Sequence, residues 1–154
     1  MIRPPRRVVT GLDAEGRSCI LIDGPVKDQG LAGANIVWRT EGIPADNAGM
    51  SDIDDRSFDF EMMHAGGSVF MVLEYPPGMG CDAPYWHATD TIDYIVMLAG
   101  EVVLTVETGE VRLKAGDFFV DRGVVHAWRN EGAQAARFAC VNLPAHPVGK
   151  GRTV

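Results

Sequence analysis

Short apolar runs separated by turn residues make up most of this chain. The runs are rich in Val, Ile, Phe, Tyr and Thr, and Gly, Pro, Asn or Asp lies between one run and the next. β-Branched and aromatic side chains suit the pleated, half-buried surface of a sheet, so the pattern is typical of an all-β protein. The runs predict strands over Ser18–Asp23, Asn35–Thr40, Ser68–Tyr75, Ile92–Leu98, Val102–Glu107, Val111–Lys114, Asp117–Val120, His126–Arg129 and Ala136–Leu143.

Helices are expected to be few and short. No long segment repeats its apolar positions with the 3.6-residue period of an amphipathic helix. The candidates lie around Asp28–Gly33 and within Asp52–Phe58. Thr108-Gly109 is predicted to form a two-residue hairpin turn, and tight reversals are predicted at Gly100 and Gly116, because glycine adopts positive φ at little steric cost.

The alternation within Ile92–Leu98 indicates a strand that is covered on both faces. One face carries Asp93, Ile95 and Met97, and the other carries only apolar or aromatic side chains. Strands buried on both sides have this near-continuous apolar character. We expect the Asp93 face to line the interior of a barrel. The other face needs a cover, either the N-terminal segment or a second subunit, and a homodimer is predicted.

Composition places the chain among globular proteins. It has 154 residues, of which 46% are hydrophobic and 23% charged, which fits one domain with a real core. A net charge of −7 argues against nucleic-acid binding, which depends mainly on clustered Lys and Arg. Arg3, Arg6 and Arg7 form the one basic cluster, and we interpret it as a solvated arm.

A cytoplasmic location is expected, with no contact with membranes. No apolar run approaches the roughly 20 residues that a membrane-spanning helix needs, and no apolar stretch follows the basic N-terminus as in a secretory signal. Cys19, Cys81 and Cys140 are odd in number and far apart, which predicts reduced thiols. The acidic segment 42–61 is predicted to be a surface loop across one end of the barrel, with a lid over the pocket as the alternative.

Two histidines and one acid stand out as candidate chemistry. His87 and Asp93 lie near the start of one strand pair, and His126 begins a later strand. If strands that fold back on one another bring these side chains together inside a barrel, they provide either a divalent-metal site or an acid–base site.

The motifs around these residues resemble those of the cupin superfamily, whose members are small double-stranded β-helices of the jelly-roll type. The first cupin motif is His-x-His, then three or four residues, Glu, six residues and Gly. The second is Pro-x-Gly-x-x-His-x-x-x-Asn. In this chain the corresponding positions are His87, Thr89, Asp93 and Gly100, followed by Asp121, Gly123, His126 and Asn130.

The resemblance implies an all-β fold, a double-stranded β-helix, in a single domain spanning residues 1–154. Within it we expect N-terminal strands and the acidic loop over residues 1–66, which pack on the barrel or on a partner subunit. The barrel itself is expected over residues 67–143 and a tail over residues 144–154.

The resemblance also implies a metal site. The family assigns metal ligands to both histidines of the first motif, to its Glu and to the histidine of the second. His87, Asp93 and His126 hold three of these positions, while Thr89 replaces a histidine with a poorer ligand. Two imidazoles and one carboxylate remain, a set that suits Fe, Mn, Ni or Zn.

Three functions remain open from the sequence. The first is a divalent-metal-dependent enzyme, of oxygenase, isomerase or decarboxylase type, acting on a small organic or aromatic molecule. The second is a metal-free lyase or isomerase in which the catalytic residues His126 and Asp93 transfer protons. The third is a non-catalytic small-molecule-binding protein, since the fold does not fix the function. The predicted substrate pocket comprises Glu74, Tyr85, Thr89, Met97, Phe119 and Trp128.

Overall fold

A computed structural model describes residues 5–26, 33–49, 51–53 and 56–154. Strands dominate the described residues, and the only helix among them is the short α1. In chain order the elements are β1 (Arg6–Leu12), β2 (Ser18–Pro25), β3 (Ala34–Thr40), α1 (Glu61–His64), β4 (Ser68–Tyr75), β5 (Thr91–Ala99), β6 (Glu101–Val106), β7 (Gly109–Lys114), β8 (Phe118–Asp121), β9 (His126–Arg129) and β10 (Ala136–Pro144).

Two antiparallel sheets enclose the core. One sheet has the strand order β3-β4-β10-β5-β8 and the other has the order β7-β6-β9. A single buried cluster joins inward side chains of both sheets, with Met97 and Phe138 from the first and Val102 and Leu104 from the second. Burial of such side chains is the main stabilising term in a domain of this size. The all-β double-stranded β-helix predicted from the sequence is confirmed.

The N-terminal hairpin β1–β2 was only half predicted. β2 was expected, but β1 was missed because basic residues interrupt its apolar pattern. Among the described strands the two pair only with each other. The interpretation of the basic cluster as a solvated arm is wrong for Arg7, which is buried, pairs with Asp52 and donates to the Val37 carbonyl at 3.1 Å. Arg6 is exposed as expected, and Arg3 lies outside the described residues.

The local predictions met mixed outcomes. The reversals at Gly100 and Gly116 are confirmed, with φ values of 67° and 93°. The hairpin turn between β6 and β7 is Glu107-Thr108 instead of Thr108-Gly109, because Val106 pairs with Gly109. Residues 51–53 and 56–59 are not helical, and the helix starts later, at Glu61, where Asp59 accepts the Met62 N–H at 2.8 Å. Residues 28–32 of the other helix candidate lie outside the described residues.

The predicted assignment of the β5 side chains to two faces is confirmed, but the face opposite Asp93 is partly exposed. Asp93, Ile95 and Met97 are buried, while Tyr94 and Leu98 on the opposite face are 49% and 50% exposed. Across the larger sheet, register aligns two apolar rows on this outer face, Phe70–Val141–Tyr94–Val120 and Val72–Ala139–Val96–Phe118. Tyr94 and Leu98 are half exposed. The homodimer therefore stays a prediction, and these rows are the surface on which a second copy would pack.

Asn130 ties three parts of the barrel together. Its side chain is fully buried, and Nδ2 donates to the Tyr75 carbonyl at 2.8 Å and to the Gln134 carbonyl at 2.9 Å. Its Oδ1 accepts the Gly132 N–H at 2.8 Å. One side chain therefore joins the end of β4, the end of β9 and the loop that leads into β10. The structure explains why this motif position carries an amide, which both donates and accepts.

None of the helices among the described residues is long or apolar enough to span a membrane.

We predict that Asn130→Ala lowers the free energy of unfolding by about 3 kcal/mol, because it leaves buried backbone groups without partners. Urea denaturation followed by tryptophan fluorescence measures the change. Gln134→Ala, in the same loop but with an exposed side chain, is the control and should stay within about 0.5 kcal/mol of the parent. Equal stabilities for the parent and Asn130→Ala would contradict this role.

The homodimer prediction is tested at Phe118, whose side chain is 80% exposed in one of the apolar rows. If a second copy covers this face, Phe118→Lys buries a charge in the contact and weakens the dimer. Sedimentation equilibrium should then give twice the 16.7 kDa chain mass for the parent and for an Ile43→Lys control, but a monomer for Phe118→Lys. A monomeric parent at micromolar concentration would refute the prediction.

Candidate active site in the barrel

A cavity of about 430 Å³ lies inside the barrel. That volume falls within the range of about 300–1,000 Å³ that small-molecule sites occupy. Its walls are mostly apolar and aromatic, with a few polar groups among them, and none of the described lining residues is Lys or Arg. The lining comprises Ala34, Phe58, Phe60, Met63, Met71, Leu73, Tyr75, Met79, Tyr85, His87, Asp93, Ile95, His126, Trp128, Phe138, Cys140 and Asn142.

Backbone pairing brings the two histidines together. The His87 N–H donates to the His126 carbonyl at 3.0 Å, and the His126 N–H donates to the His87 carbonyl at 2.9 Å. Residues that exchange both hydrogen bonds lie directly opposite one another and project their side chains to the same face. The ring centroids are accordingly 4.4 Å apart. The two imidazoles therefore meet inside the barrel, as the sequence-based hypothesis of a site requires.

His126 rests against a buried carboxylate. Its Nδ1 lies 2.9 Å from the Val124 carbonyl, to which it donates, and 2.9 Å from Oδ2 of Asp121. Burial lowers the pKa of His126, but the contact with Asp121 outweighs it, so the pKa is raised overall. Burial likewise raises the pKa of Asp121, yet His126 and backbone N–H groups lower it further than burial raises it.

A tight turn places Asp121 behind His126. Oδ1 of Asp121 accepts the N–H groups of Gly123 at 2.9 Å and Val124 at 3.2 Å. Gly123 has φ of 75°, and a Cβ at this position would lie 2.5 Å from the Thr89 carbonyl. Glycine is therefore required here for both conformation and space. The turn thus packs the second motif directly against the first.

His87 is held in a different environment. Its Nδ1 lies 3.2 Å from the Tyr85 carbonyl, and its ring stacks on that of Tyr85 at a centroid distance of 5.1 Å. Burial lowers the pKa of His87, and the neighbouring His126 lowers it further. When Nδ1 donates to the carbonyl, the neutral ring carries its lone pair on Nε2. The two neighbouring imidazoles are therefore biased towards opposite protonation states.

Asp93 supplies an unpartnered oxygen to the same cavity. It is 7% exposed on β5 and lies in register between Asp121 of β8 and Asn142 of β10. Its Oδ1 is buried without a hydrogen-bond partner. Burial raises the pKa of Asp93 against the lowering effects of Thr91 and Asn142. A buried acceptor left in this state costs free energy that a bound ligand can recover.

The predicted metal-ligand set is not assembled as a cluster. Among the described residues, no group of three or more His, Cys, Asp and Glu is placed to hold a metal ion. The set of His87, Asp93 and His126 therefore stays a prediction. One feature does fit a metal: each imidazole has its Nδ1 on an oxygen acceptor, as the histidines of metal sites usually do.

Only part of the predicted pocket lines the cavity, namely Tyr85 and Trp128. Parity turns Glu74 to the opposite face of β4 from the lining residues Leu73 and Tyr75, and the other predicted residues make contacts outside the cavity. Glu74 pairs with Arg137, the Thr89 hydroxyl hydrogen-bonds that of Thr91 at 2.7 Å, Met97 is packed in the core, and Phe119 lies edge-on to Trp128 at 5.7 Å.

Sequence reasoning missed several residues of the site. Asp121 replaces the proline of the second motif, and this departure was the signal that could have identified it. Phe58 and Phe60 come from the acidic segment that was expected to be a surface loop, yet both line the cavity. Of the three cysteines, all free, only Cys140 reaches the cavity, whereas Cys81 is exposed.

We predict that His126 titrates at a higher pH than His87. Proton–carbon NMR of the imidazoles over a pH series measures both midpoints. Asp121→Asn removes the carboxylate that raises the pKa of His126, so that midpoint should fall, while Asp23→Asn on the exposed hairpin should change neither. A His126 midpoint at or below that of His87 in the parent would refute the electrostatic description of the site.

Comparison with known proteins places this architecture in a family. Residues 63–142 match the family described as Cupin domain. Oryzines biosynthesis cluster protein J of Aspergillus oryzae is 47% identical over 56% of this chain, but the match spans only 48% of that protein. Phomopsin biosynthesis cluster protein D of Diaporthe leptostromiformis is 34% identical over 96% of this chain and 82% of its own length.

A solved structure from Klebsiella pneumoniae, described as an uncharacterized conserved protein with a double-stranded β-helix domain, is 27% identical. The match covers 51% of this chain and 68% of the Klebsiella pneumoniae chain, with a TM-score of 0.45. The family match covers the whole region that supplies His87, Asp93, Asp121 and His126. Together with the observed jelly roll, it shows that this chain belongs to the cupin family.

Proposed function

We propose that this cupin is an enzyme that transfers protons on a small, uncharged organic molecule bound in the barrel, as an isomerase or a lyase. The observation that carries the proposal is the His126–Asp121 pair, which backs onto a largely apolar cavity directly beside His87. Acid–base catalysis needs a donor and an acceptor held at one place with unequal proton affinities. This pair of imidazoles meets that requirement.

The environments of the two rings assign their roles. His126, with a carboxylate behind it, is the proton donor in its imidazolium form. His87, which donates through Nδ1 to a backbone carbonyl, is the acceptor at Nε2. Asp93 faces the same space with one oxygen free of protein partners, and we assign it to binding a hydroxyl or carbonyl group of the substrate. Asp121 orients His126 and stabilises its charge.

The walls of the cavity favour one class of substrate. The charge of Asp121 offsets that of protonated His126, and the described lining residues include no Lys or Arg to receive an anion. Moving an unpaired charge into such a site is costly. Trp128 stacks on Phe138 at 5.5 Å, which provides flat apolar surface. These features favour an uncharged, partly planar compound with one or two polar groups.

Two relatives support a role in small-molecule metabolism, since both are named for biosynthesis clusters. The match to the Aspergillus oryzae protein spans about half of that relative, so only the general role in metabolism supports the proposal. The relatives point to a metabolite as the substrate and leave the reaction to the geometry of the site.

A divalent metal is the second candidate, and the Nδ1 hydrogen bonds of both imidazoles favour it. His87 and His126 would hold the ion, with Asp93 as the third ligand. When bound, such an ion supplies Lewis-acid or oxygen chemistry. Asp121 would then orient His126 as a ligand instead of raising its proton affinity.

The function is tested by following cyclic enones and β-hydroxy ketones by NMR in deuterated water. Enones report isomerisation and β-hydroxy ketones report loss of water. On the compounds that the parent turns over, His126→Gln and His87→Gln should each lower the rate about 10²- to 10⁴-fold, the contribution typical of a positioned acid or base. Glu107→Gln, at an exposed position of the β6–β7 turn and outside the cavity lining, is the control and should keep the parent rate.

The outcomes separate the three functions. Full activity in both His87→Gln and His126→Gln would contradict proton transfer at this site. Activity lost with a chelator and restored by one divalent ion, with stoichiometric metal in the purified protein, would establish the metal enzyme instead. Binding detected by thermal shift, with no turnover of any bound compound, would favour the non-catalytic binding protein.

A further inference from the structure

We propose that the C-terminal segment 145–153, which we call the strap, positions His87 for proton transfer. This inference rests on the proposed function, because it concerns the geometry of one of its two imidazoles. The strap has no regular secondary structure and is largely exposed. It nevertheless runs beside the short extended segment 87–90 and makes specific contacts there.

Two successive residues of that segment are paired on opposite sides. The backbone of His87 exchanges both of its hydrogen bonds with His126. The backbone of Ala88 exchanges both of its own with Thr153, since the Ala88 N–H donates to Thr153 Oγ1 at 2.9 Å and the Thr153 N–H donates to the Ala88 carbonyl at 2.9 Å. Successive backbone groups of an extended chain point to opposite sides. The strap therefore pairs with segment 87–88 on the side opposite His126.

Asp90 anchors the strap at two further points. Its Oδ1 accepts the Arg152 N–H at 2.8 Å, and its carbonyl accepts the Ala145 N–H at 2.8 Å. The strap also reaches α1, where the Arg152 guanidinium lies 3.0 Å from Glu61. The contacts at residues 88 and 90 hold the segment from the side that faces away from β9.

Without the strap, His126 would be the only strand-like partner of segment 87–88 among the described residues. A single bridge of two backbone hydrogen bonds is weak, because each contributes about 1 kcal/mol net. The 4.4 Å approach of the two rings depends on the position of the His87 backbone. Ala88 is buried and both of its backbone groups are satisfied by one residue, so Thr153 is the position where the strap acts most directly.

Thr153→Val tests the inference, because it keeps the shape of the side chain and removes the oxygen that accepts the Ala88 N–H. Hydrogen exchange of the Ala88 amide should accelerate about five- to tenfold, the value expected for one lost hydrogen bond. The nuclear Overhauser effect between the His87 and His126 rings should weaken. Thr153→Ser restores the hydroxyl and should restore both signals, and Thr10→Val on the exposed hairpin is the matched control.

A second variant keeps the test independent of one side chain. Asp90→Ala removes the acceptor of the Arg152 N–H and should weaken the same ring-to-ring signal in a protein with an unchanged far-ultraviolet circular dichroism spectrum. An unchanged ring-to-ring signal in both Thr153→Val and Asp90→Ala would refute the proposal that the strap positions His87. Neither result depends on turnover, so its failure would leave the acid–base function to its own test.

Discussion

The geometry of the candidate site in this cupin depends on one pair of backbone hydrogen bonds, those exchanged by His87 and His126. They close the strand β9 against an extended segment that belongs to neither sheet. Because the side chains of directly paired residues project to the same face, both imidazoles lie inside the barrel. The Gly123 turn, the Asp121 carboxylate and the strap all act on one or the other member of this pair.

Placing two imidazoles in contact would be unfavourable if both were charged. Each ring has its Nδ1 on a backbone carbonyl, but only His126 also has a carboxylate, that of Asp121, beside it, and this difference avoids the cost. In the proposed acid–base function, the resulting difference in proton affinity lets one ring donate a proton and the other accept one. The electrostatic stability of the site and its proposed chemistry therefore have the same physical origin.

Most of the strands could be predicted from the sequence, because alternation is a local signal, although the basic residues of β1 hid that strand. The meeting of the histidines was an expectation that rested on the resemblance to the two cupin motifs, since His87 and His126 are far apart in the sequence. The sequence marks Asp121 only as a departure from the second motif. Its role beside His126 depends on a turn in which Gly123 has positive φ and the aspartate accepts two backbone N–H groups. The contacts of the strap could not be predicted from the sequence either. Residues 145–153 show no alternation, and Thr153 meets Ala88 across 65 positions of sequence. Pocket residues such as Met97 were misplaced because residue type alone does not distinguish a core side chain from a cavity wall.

Neutron diffraction from a deuterated crystal held near the ordinary imidazole pKa of about 6.5 tests the central claim most directly, since it shows hydrogens that X-ray structures leave to inference. Because the contact with Asp121 raises the pKa of His126 and burial lowers that of His87, we expect deuterium on both nitrogens of His126 at higher occupancy than on both nitrogens of His87. Density showing the reverse, with His87 doubly protonated and His126 neutral, would contradict the unequal proton affinities on which the proposed chemistry depends.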